Sequence, residues 1–301
     1  MKIGIISDIH SNIYALRACV EYLEKEACEE YLLLGDFVSD TPYTRETMDY
    51  LYDFIKTHTC KVLRGNREEY MISQRTALRE GKEQEKWIYN SASGNLKFAY
   101  EQLTEQDLDF FECLPISFRY EKEGYPSITC AHGSPSNSRE LLKEEAEQTR
   151  KWMEEIDTEY LICAHTHLRT QLEYKGKVYF NPGSAGIAIG TPGIAQCMMI
   201  QSVHEEGNVR WKASFLSVPY DNQRVVQDMV SSGLLEKAPW FINSNIHIFL
   251  TGEDLSATLV KLAGELAKEE DEDAIWPQID ETYFMKAAAL CGIPDYRKCL
   301  L

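Results

Sequence analysis

From Lys2 to Leu63, short apolar runs alternate with stretches whose apolar residues recur every three or four positions. Lys2 to Ser7 is rich in isoleucine and has the pattern of a buried strand. Ile13, Leu16, Val20 and Leu23 then fall on one helical face. Glu30 to Leu34 repeats the strand pattern. Thr44 to His58 repeats the helical one through Met48, Leu51 and Ile55, and Lys61 to Leu63 is a third strand. Strands alternating with helices predict a βαβ beginning and a largely parallel sheet. Glu68 to about Phe111 is helical and polar, an expected insertion that returns to the sheet near Pro115.

Further strands are predicted at Ser127 to Ala131 and Tyr160 to Cys163, with a charged helix around Glu140 to Glu154 between them. After these, the period changes to two. Gln171 to Tyr174 and Lys177 to Phe180 flank the turn Lys175-Gly176, and Ala195 to Val203 and Val209 to Val218 flank a second turn. An α/β first half followed by hairpins implies two sheets face to face, with helices outside. Beyond Tyr220 the chain is helical again: Leu255, Leu259, Leu262 and Leu266 form a stripe, and Thr251-x-x-Asp254 reads as its capping box. Glu269 to Asp273 reads as a solvated acidic linker, and the stretch after it carries packable aromatics. The expected division is residues 1–217 as the main domain and 218–301 as a helical extension, one that can pack on the same domain.

Charge and composition then narrow the function. A formal net charge of −17 argues against duplex nucleic acid as a partner. A small phosphorylated substrate remains compatible, because bound divalent cations reverse the local field. Val178 to Val203 carries no Asp, Glu, Lys or Arg, but its prolines and glycines exclude a continuous membrane helix. Asp8 and His10 break the opening apolar run, which excludes a secretory signal there. The nine cysteines contain no C-x-x-C pair and read as reduced thiols, so a cytoplasmic location is expected.

The candidate chemistry sits where predicted strands end: Asp8-Ile9-His10, Gly35-Asp36, Gly65-Asn66-Arg67-Glu68, His132-Gly133 and His165-Thr166-His167. Open α/β sheets place ligands at such C-terminal strand ends. Each motif alone reads as a turn or a cap. Together they spend four of the seven histidines at strand ends, in chain order, beside two aspartates and an asparagine. That mixture of imidazole, carboxylate and amide suits Mn, Fe or Zn better than Ca.

This ordered series resembles the calcineurin-like metallophosphoesterases, whose pattern runs D-x-H, GD, GNH-D/E, a strand-end His and GHTH. The resemblance covers about residues 1–217 and includes Asn181-Pro182-Gly183-Ser184, similar to an NPGS segment of the bacterial branch. It implies a four-layer αββα sandwich and two divalent transition-metal ions, with Mn first and Fe or Zn as alternatives. One ion would be held by Asp8, His10, Asp36 and His167, the other by Asp36, Asn66, His132 and His165. A water between such ions ionises near neutral pH and attacks phosphorus in line.

Two departures stand out. Ala164 replaces the usual Gly before His165, a change expected to be silent. Arg67 replaces the family's His after Gly-Asn, which contacts the phosphate and is thought to protonate the leaving group. Arginine can clamp a phosphate but is a poor proton donor. Glu68 matches the family's acidic residue and is expected to orient Arg67. Asn12 matches an asparagine near the substrate, or caps a helix. The resemblance implies hydrolysis of a phosphodiester or phosphoanhydride, with a nucleotide as the expected substrate. A diffuse similarity points to bacterial diadenosine polyphosphate hydrolases. The alternatives are a phosphomonoesterase, including a protein phosphatase, and a silent scaffold such as the retromer subunit that shares this fold.

Overall fold

Two five-stranded sheets face each other across a core of branched and aromatic side chains, in a computed structural model that describes residues 1–205, 207–270 and 274–298. Strands β1 (Lys2–Ile6), β2 (Glu30–Leu34) and β3 (Cys60–Leu63) run parallel, joined by helices α1 (Ile13–Lys25) and α2 (Thr44–Thr57). An insertion of α3 (Asn66–Glu80), α4 (Gly94–Tyr100) and α5 (Glu105–Cys113) follows. The second sheet is built from β4 (Ser117–Tyr120), β5 (Ile128–Ala131), β6 (Tyr160–Ile162), β7 (Thr170–Tyr174) and β8 (Lys177–Asn181), with α6 (Glu147–Glu155) between β5 and β6. The long hairpin β9 (Ile194–Glu205) and β10 (Asn208–Pro219) returns to the first sheet beside β1. The sheet orders are β10-β9-β1-β2-β3 and β4-β5-β6-β8-β7, so each sheet has a parallel centre with antiparallel additions rather than being largely parallel.

The period of two along each strand builds the layers. Ile3 and Ile5 of β1, Leu32 and Leu34 of β2, and Met198 and Ile200 of β9 point between the sheets, where they meet Ile128, Cys130, Ile162 and Phe180. Ile6, Leu33, Cys197 and Met199 point the other way, onto α1 and α2. Leu161 and Tyr179 turn outward from the second sheet onto Met153 of α6. The result is helix, sheet, sheet, helix, as expected.

Three local expectations change. β4, where the chain returns to the sheet after Pro115, was given no bounds, because an edge strand of four residues with only Tyr120 buried is too short to show an alternation. The helix expected from Glu140 begins only at Glu147: Leu142 leaves the helical path to pack under Tyr179, whose hydroxyl donates to the Leu142 carbonyl at 2.7 Å. Thr251 ends a helix instead of starting one, and Asp254 Oδ1 accepts from the Ser256 N–H at 2.9 Å at the start of the next.

The extension comprises α7 (Asn222–Ser231), α8 (Leu234–Lys237), α9 (Pro239–Thr251), α10 (Ser256–Glu270) and α11 (Glu281–Cys291). Within the acidic run, Glu269 and Glu270 belong to α10, and positions 271–273 lie outside the described residues. Val226, Met229, Ile242 and Ile246 form a core that also takes in Tyr14 and Tyr43 of the main domain and Phe98 of the insertion. Leu259, Ala263, Phe284 and Ala287 form a second core around Ala92. Asn90 Nδ2 donates to the carbonyls of Pro277 and Ile279 at 2.8 and 2.9 Å. Gly94 lets the chains close up, since a Cβ there would stand 1.9 Å from the Lys237 carbonyl oxygen. Among the described residues eight cysteines are unpaired, and no helix is long and apolar enough to cross a membrane.

Candidate metal centre

The seven expected ligands converge at the C-terminal ends of β1, β2, β3, β5 and β6. Asp8, His10 and His167 form one cluster, and Asp36, His132 and His165 form another, with ligand atoms in each lying within 4.8 Å of one another. Asn66 joins the second, its Oδ1 3.0 Å from His132 Nε2. Asp36 stands between them: Oδ1 is 3.4 Å from His132 Nε2 and Oδ2 is 3.8 Å from His10 Nε2.

Each ring is turned by what its other nitrogen meets. His132 Nδ1 is 2.7 Å from the Leu34 carbonyl, His167 Nδ1 is 2.9 Å from the Ile187 carbonyl, and His10 Nδ1 is 2.9 Å from Asp40 Oδ2. With protons held on those nitrogens, all three Nε2 lone pairs face inward.

The loops carrying these residues are tightly wound. Asp8, His10, Ser11, Asp36, Ser39, Asp40, His165 and His167 all have φ between 49° and 80°. Non-glycine residues in that region cost about 1–3 kcal/mol each and persist only where the surroundings enforce them. The enforcement is visible. Ser184 Oγ and the Gly186 N–H both donate to the Asp8 carbonyl at 2.8 Å, and Asn181 Nδ2 donates to the Ala164 carbonyl at 2.7 Å. The Asn-Pro-Gly-Ser segment therefore braces the Asp8 and His165 loops together. Gly65 lies so close to Asp36 that a Cβ there would stand 2.2 Å from Asp36 Oδ1.

Glu68 and Arg67 behave differently from expectation, while Asn12 takes the capping role that was one of its two expected ones. Glu68 does not reach the Arg67 side chain; its carboxylate accepts from the N–H groups of Asp36, Phe37 and Gly65, each at 2.8 Å, tying the second loop to the third. Arg67 is oriented by Asp40 instead, with Nη2 2.8 Å from Asp40 Oδ2, and its Nε is 4.0 Å from Asp36 Oδ2. Asn12 is fully buried: its Oδ1 caps α1 at the Ala15 N–H, and Nδ2 donates to the Gly186 carbonyl at 2.9 Å. Asp40 and Ser184 were missed. The signal available for Asp40 was a second carboxylate four residues after Asp36 in the same loop. Ser184 carried no more than its place in the Asn-Pro-Gly-Ser run.

The electrostatics follow from burial among opposite charges. Burial alone would raise the Asp8 and Asp36 carboxyls, yet the neighbouring imidazoles hold both below the usual range. Burial would depress His132, but Asp36 and Asp8 push it up to about 10. Burial, with His132 nearby, lowers His165 to about 4, so that ring is neutral. Asp40 is lowered to about 2 against the cost of its burial, by Arg67 and then His10.

A sequence profile of the calcineurin-like phosphoesterases matches residues 1–169, more than half of the chain. The chain belongs to that family. Solved structures of the same fold include a hypothetical protein of Pyrococcus horikoshii (23% identity, TM-score 0.68) that covers 84% of this chain and matches over 99% of its own length. A metallophosphoesterase of Sphaerobacter thermophilus (21% identity, TM-score 0.62) likewise covers 84% of this chain and 100% of its own. The phosphoesterase is thus a hydrolase acting on phosphoester bonds, in a metal-dependent family. Its residues fit a bound cation pair. Both oxygens of the fully buried Asp8 carboxylate lack a hydrogen-bond partner among the described residues. His10 Nε2 and His167 Nε2 face each other at 3.1 Å, a repulsive approach of lone pairs unless a cation or proton lies between them.

Proposed function

We propose that this phosphoesterase hydrolyses a phosphodiester or phosphoanhydride of a nucleotide, using two divalent transition-metal ions, manganese first. Asp8, His10, Asp36 and His167 would hold one ion and Asp36, Asn66, His132 and His165 the other, with Asp36 serving both. When bound, the pair supplies an ionised water as nucleophile and neutralises charge on the phosphoryl oxygens. The protein's own groups do the rest. The carbonyls of Leu34 and Ile187 keep the imidazoles aimed. Arg67 holds a permanent positive charge at the edge of the site, and its 19% side-chain exposure leaves it accessible to a phosphate.

The observation that carries the choice of substrate bond is Arg67 itself. It stands against Asp36 and Asp40 in the position where the family pattern has a proton-donating histidine. A guanidinium does not give up its proton to a leaving oxygen at neutral pH. Favoured substrates are therefore those whose leaving group departs unprotonated, such as nucleotide anhydrides and aryl esters. General-acid assistance is worth about 10²–10⁴-fold, so its absence should appear as a steep dependence of rate on leaving-group pKa. The test compares dinucleoside polyphosphates, aryl phosphodiesters and alkyl monoesters with the manganese-loaded protein. Anhydrides should outpace alkyl monoesters, and Arg67→Ala should slow both by about 10²–10³-fold through lost charge stabilisation. Equal rates across leaving groups, or an indifferent Arg67→Ala, would remove the argument. Efficient alkyl monoester hydrolysis would favour a phosphomonoesterase instead.

A further inference from the structure

Where the extension docks on the insertion, it closes a cavity of about 400 Å³ that reaches Arg67. Such a volume lies within the ~300–1,000 Å³ typical of small-molecule sites. Its lining is of two kinds, cationic and aromatic. Next to the metal centre stand Arg67 and Arg139, both over the ring of Tyr70, with guanidinium carbons 6.0 and 4.6 Å from the ring centroid. Arg67 and Asn95 both line the cavity and both meet Asp40, which links it to His10. The rest of the lining includes three flat aromatic side chains, Trp87 from the insertion, Phe241 from α9 and Trp276 from the segment after α10, with Glu85 among them.

Two further observations point to a ligand. Trp276 is 45% exposed, a large aromatic surface left open at the cavity wall. Gln74 is 5% exposed and lines the same space, yet its amide makes no hydrogen bond to another described residue. An amide that opens onto a cavity without a protein partner can both donate to and accept from the polar edge of a ligand. An aliphatic chain would leave that amide unmet, and a bare phosphate would leave the aromatic walls in water. A planar heterocycle with polar edges, joined to a phosphate, satisfies both kinds of lining.

We infer that this cavity is the nucleobase subsite of the enzyme, with the phosphate held at Arg67 and Arg139 and the base among Trp87, Phe241 and Trp276. The assignment rests on the nucleotide reading above and deepens it. The insertion and the extension together become the specificity-determining part of the molecule, while the strand ends carry the reaction. Aromatic faces accept any base, so selection is for a base over none, with Gln74 reading the base edge.

The test measures binding as well as turnover. Manganese-loaded protein is titrated with the four common nucleoside 5′-monophosphates and with ribose 5-phosphate, followed by calorimetry. Nucleotides should bind at least tenfold more tightly than ribose 5-phosphate. Trp276→Ala should weaken nucleotide binding by about 5- to 150-fold, the range of base stacking on one aromatic side chain. It should leave ribose 5-phosphate unchanged, and Trp276→Phe should restore most of the loss. Equal binding of nucleotides and ribose 5-phosphate, or a Trp276→Ala protein with an unaltered preference, overturns the subsite. Hydrolysis of bis(p-nitrophenyl) phosphate by the same samples separates the two readings. Brisk diester hydrolysis without base preference removes the subsite alone. Base-selective binding without hydrolysis of any diester or anhydride keeps the subsite and removes the proposed reaction.

Discussion

Asp36 offers one oxygen to each cluster, with His132 on one side and His10 on the other. Its replacement therefore acts on both halves of the centre. Asp36→Asn is expected to lower metal content and cut turnover by more than about 100-fold, since even outer partners of metal ligands cost 10–100-fold. Elemental analysis alongside an assay checks this; a folded variant with full metal and full activity would remove the bridging assignment. His132 supplies the pH dependence. Without metal its pKa is pushed up to about 10, above the ordinary value, so the ring is protonated at neutral pH. Ligation requires the neutral ring, so metal uptake below pH 10 must expel that proton, and affinity should fall as pH falls. Calorimetry in buffers of different ionisation enthalpy should show proton release on manganese binding; none would contradict the derivation. At this scale the convergence of the candidate ligands was legible because each follows an apolar strand run. The aim of Arg67 was not, because Asp40, which holds it, is distant in sequence and reaches it only through the fold.

Helices α2 and α5 are joined through one buried carboxylate. Asp107 accepts from Arg45 Nη1 at 2.6 Å, from the Tyr52 hydroxyl at 2.8 Å and from the Thr104 N–H at 2.7 Å, closing the capping box of α5. Burial would raise its pKa, but these donors outweigh that and hold it below 3.8. A depressed folded pKa contributes stability that is present above the unfolded value and lost as pH falls through the folded one. Asp107→Asn should cost about 1.5–3 kcal/mol near pH 7, the range for hydrogen bonds to a charged group. The gap to wild type should narrow as pH drops below 3.8. Urea unfolding across that range, in chelator so that metal loss does not intrude, would show a constant gap if the account is wrong. The element patterns were read correctly where an apolar stripe exceeded two turns, where a strand was buried on both faces, or where a turn divided two alternating runs, as in the β7-β8 and β9-β10 hairpins. They failed at β4 and before α6, where short or half-exposed segments take their form from neighbours.

Across the whole molecule, the centre draws Asp8, His10, Asp36 and Asn66 from the first sheet and His132, His165 and His167 from the second. Bound cations would therefore tie the two sheets together at one edge and neutralise the Asp8 carboxylate, whose oxygens have no hydrogen-bond partner among the described residues. Ligands that bind only the folded state stabilise it by RT ln(1 + [L]/Kd), about 2.7 kcal/mol at one hundred times Kd. Chelation should lower Tm by several degrees, and manganese should restore it; an unchanged Tm in differential scanning calorimetry would mean that no such link exists.

The sequence by itself determined the αββα layers, the order of the strands along the chain and which Asp, His and Asn residues gather at the strand ends as candidate ligands. Strand periodicity and the strand-end positions of Asp, His and Asn are local properties, written within a few residues of each other. Tertiary structure alone decided that β9 and β10 return beside β1, that Glu68 ties loops together rather than holding Arg67, and that the extension shares a cavity with the insertion. Those outcomes depend on bringing together residues as far apart as Gln74 and Trp276, whose separate patterns carry no record of one another until packing sets both in the lining of one cavity.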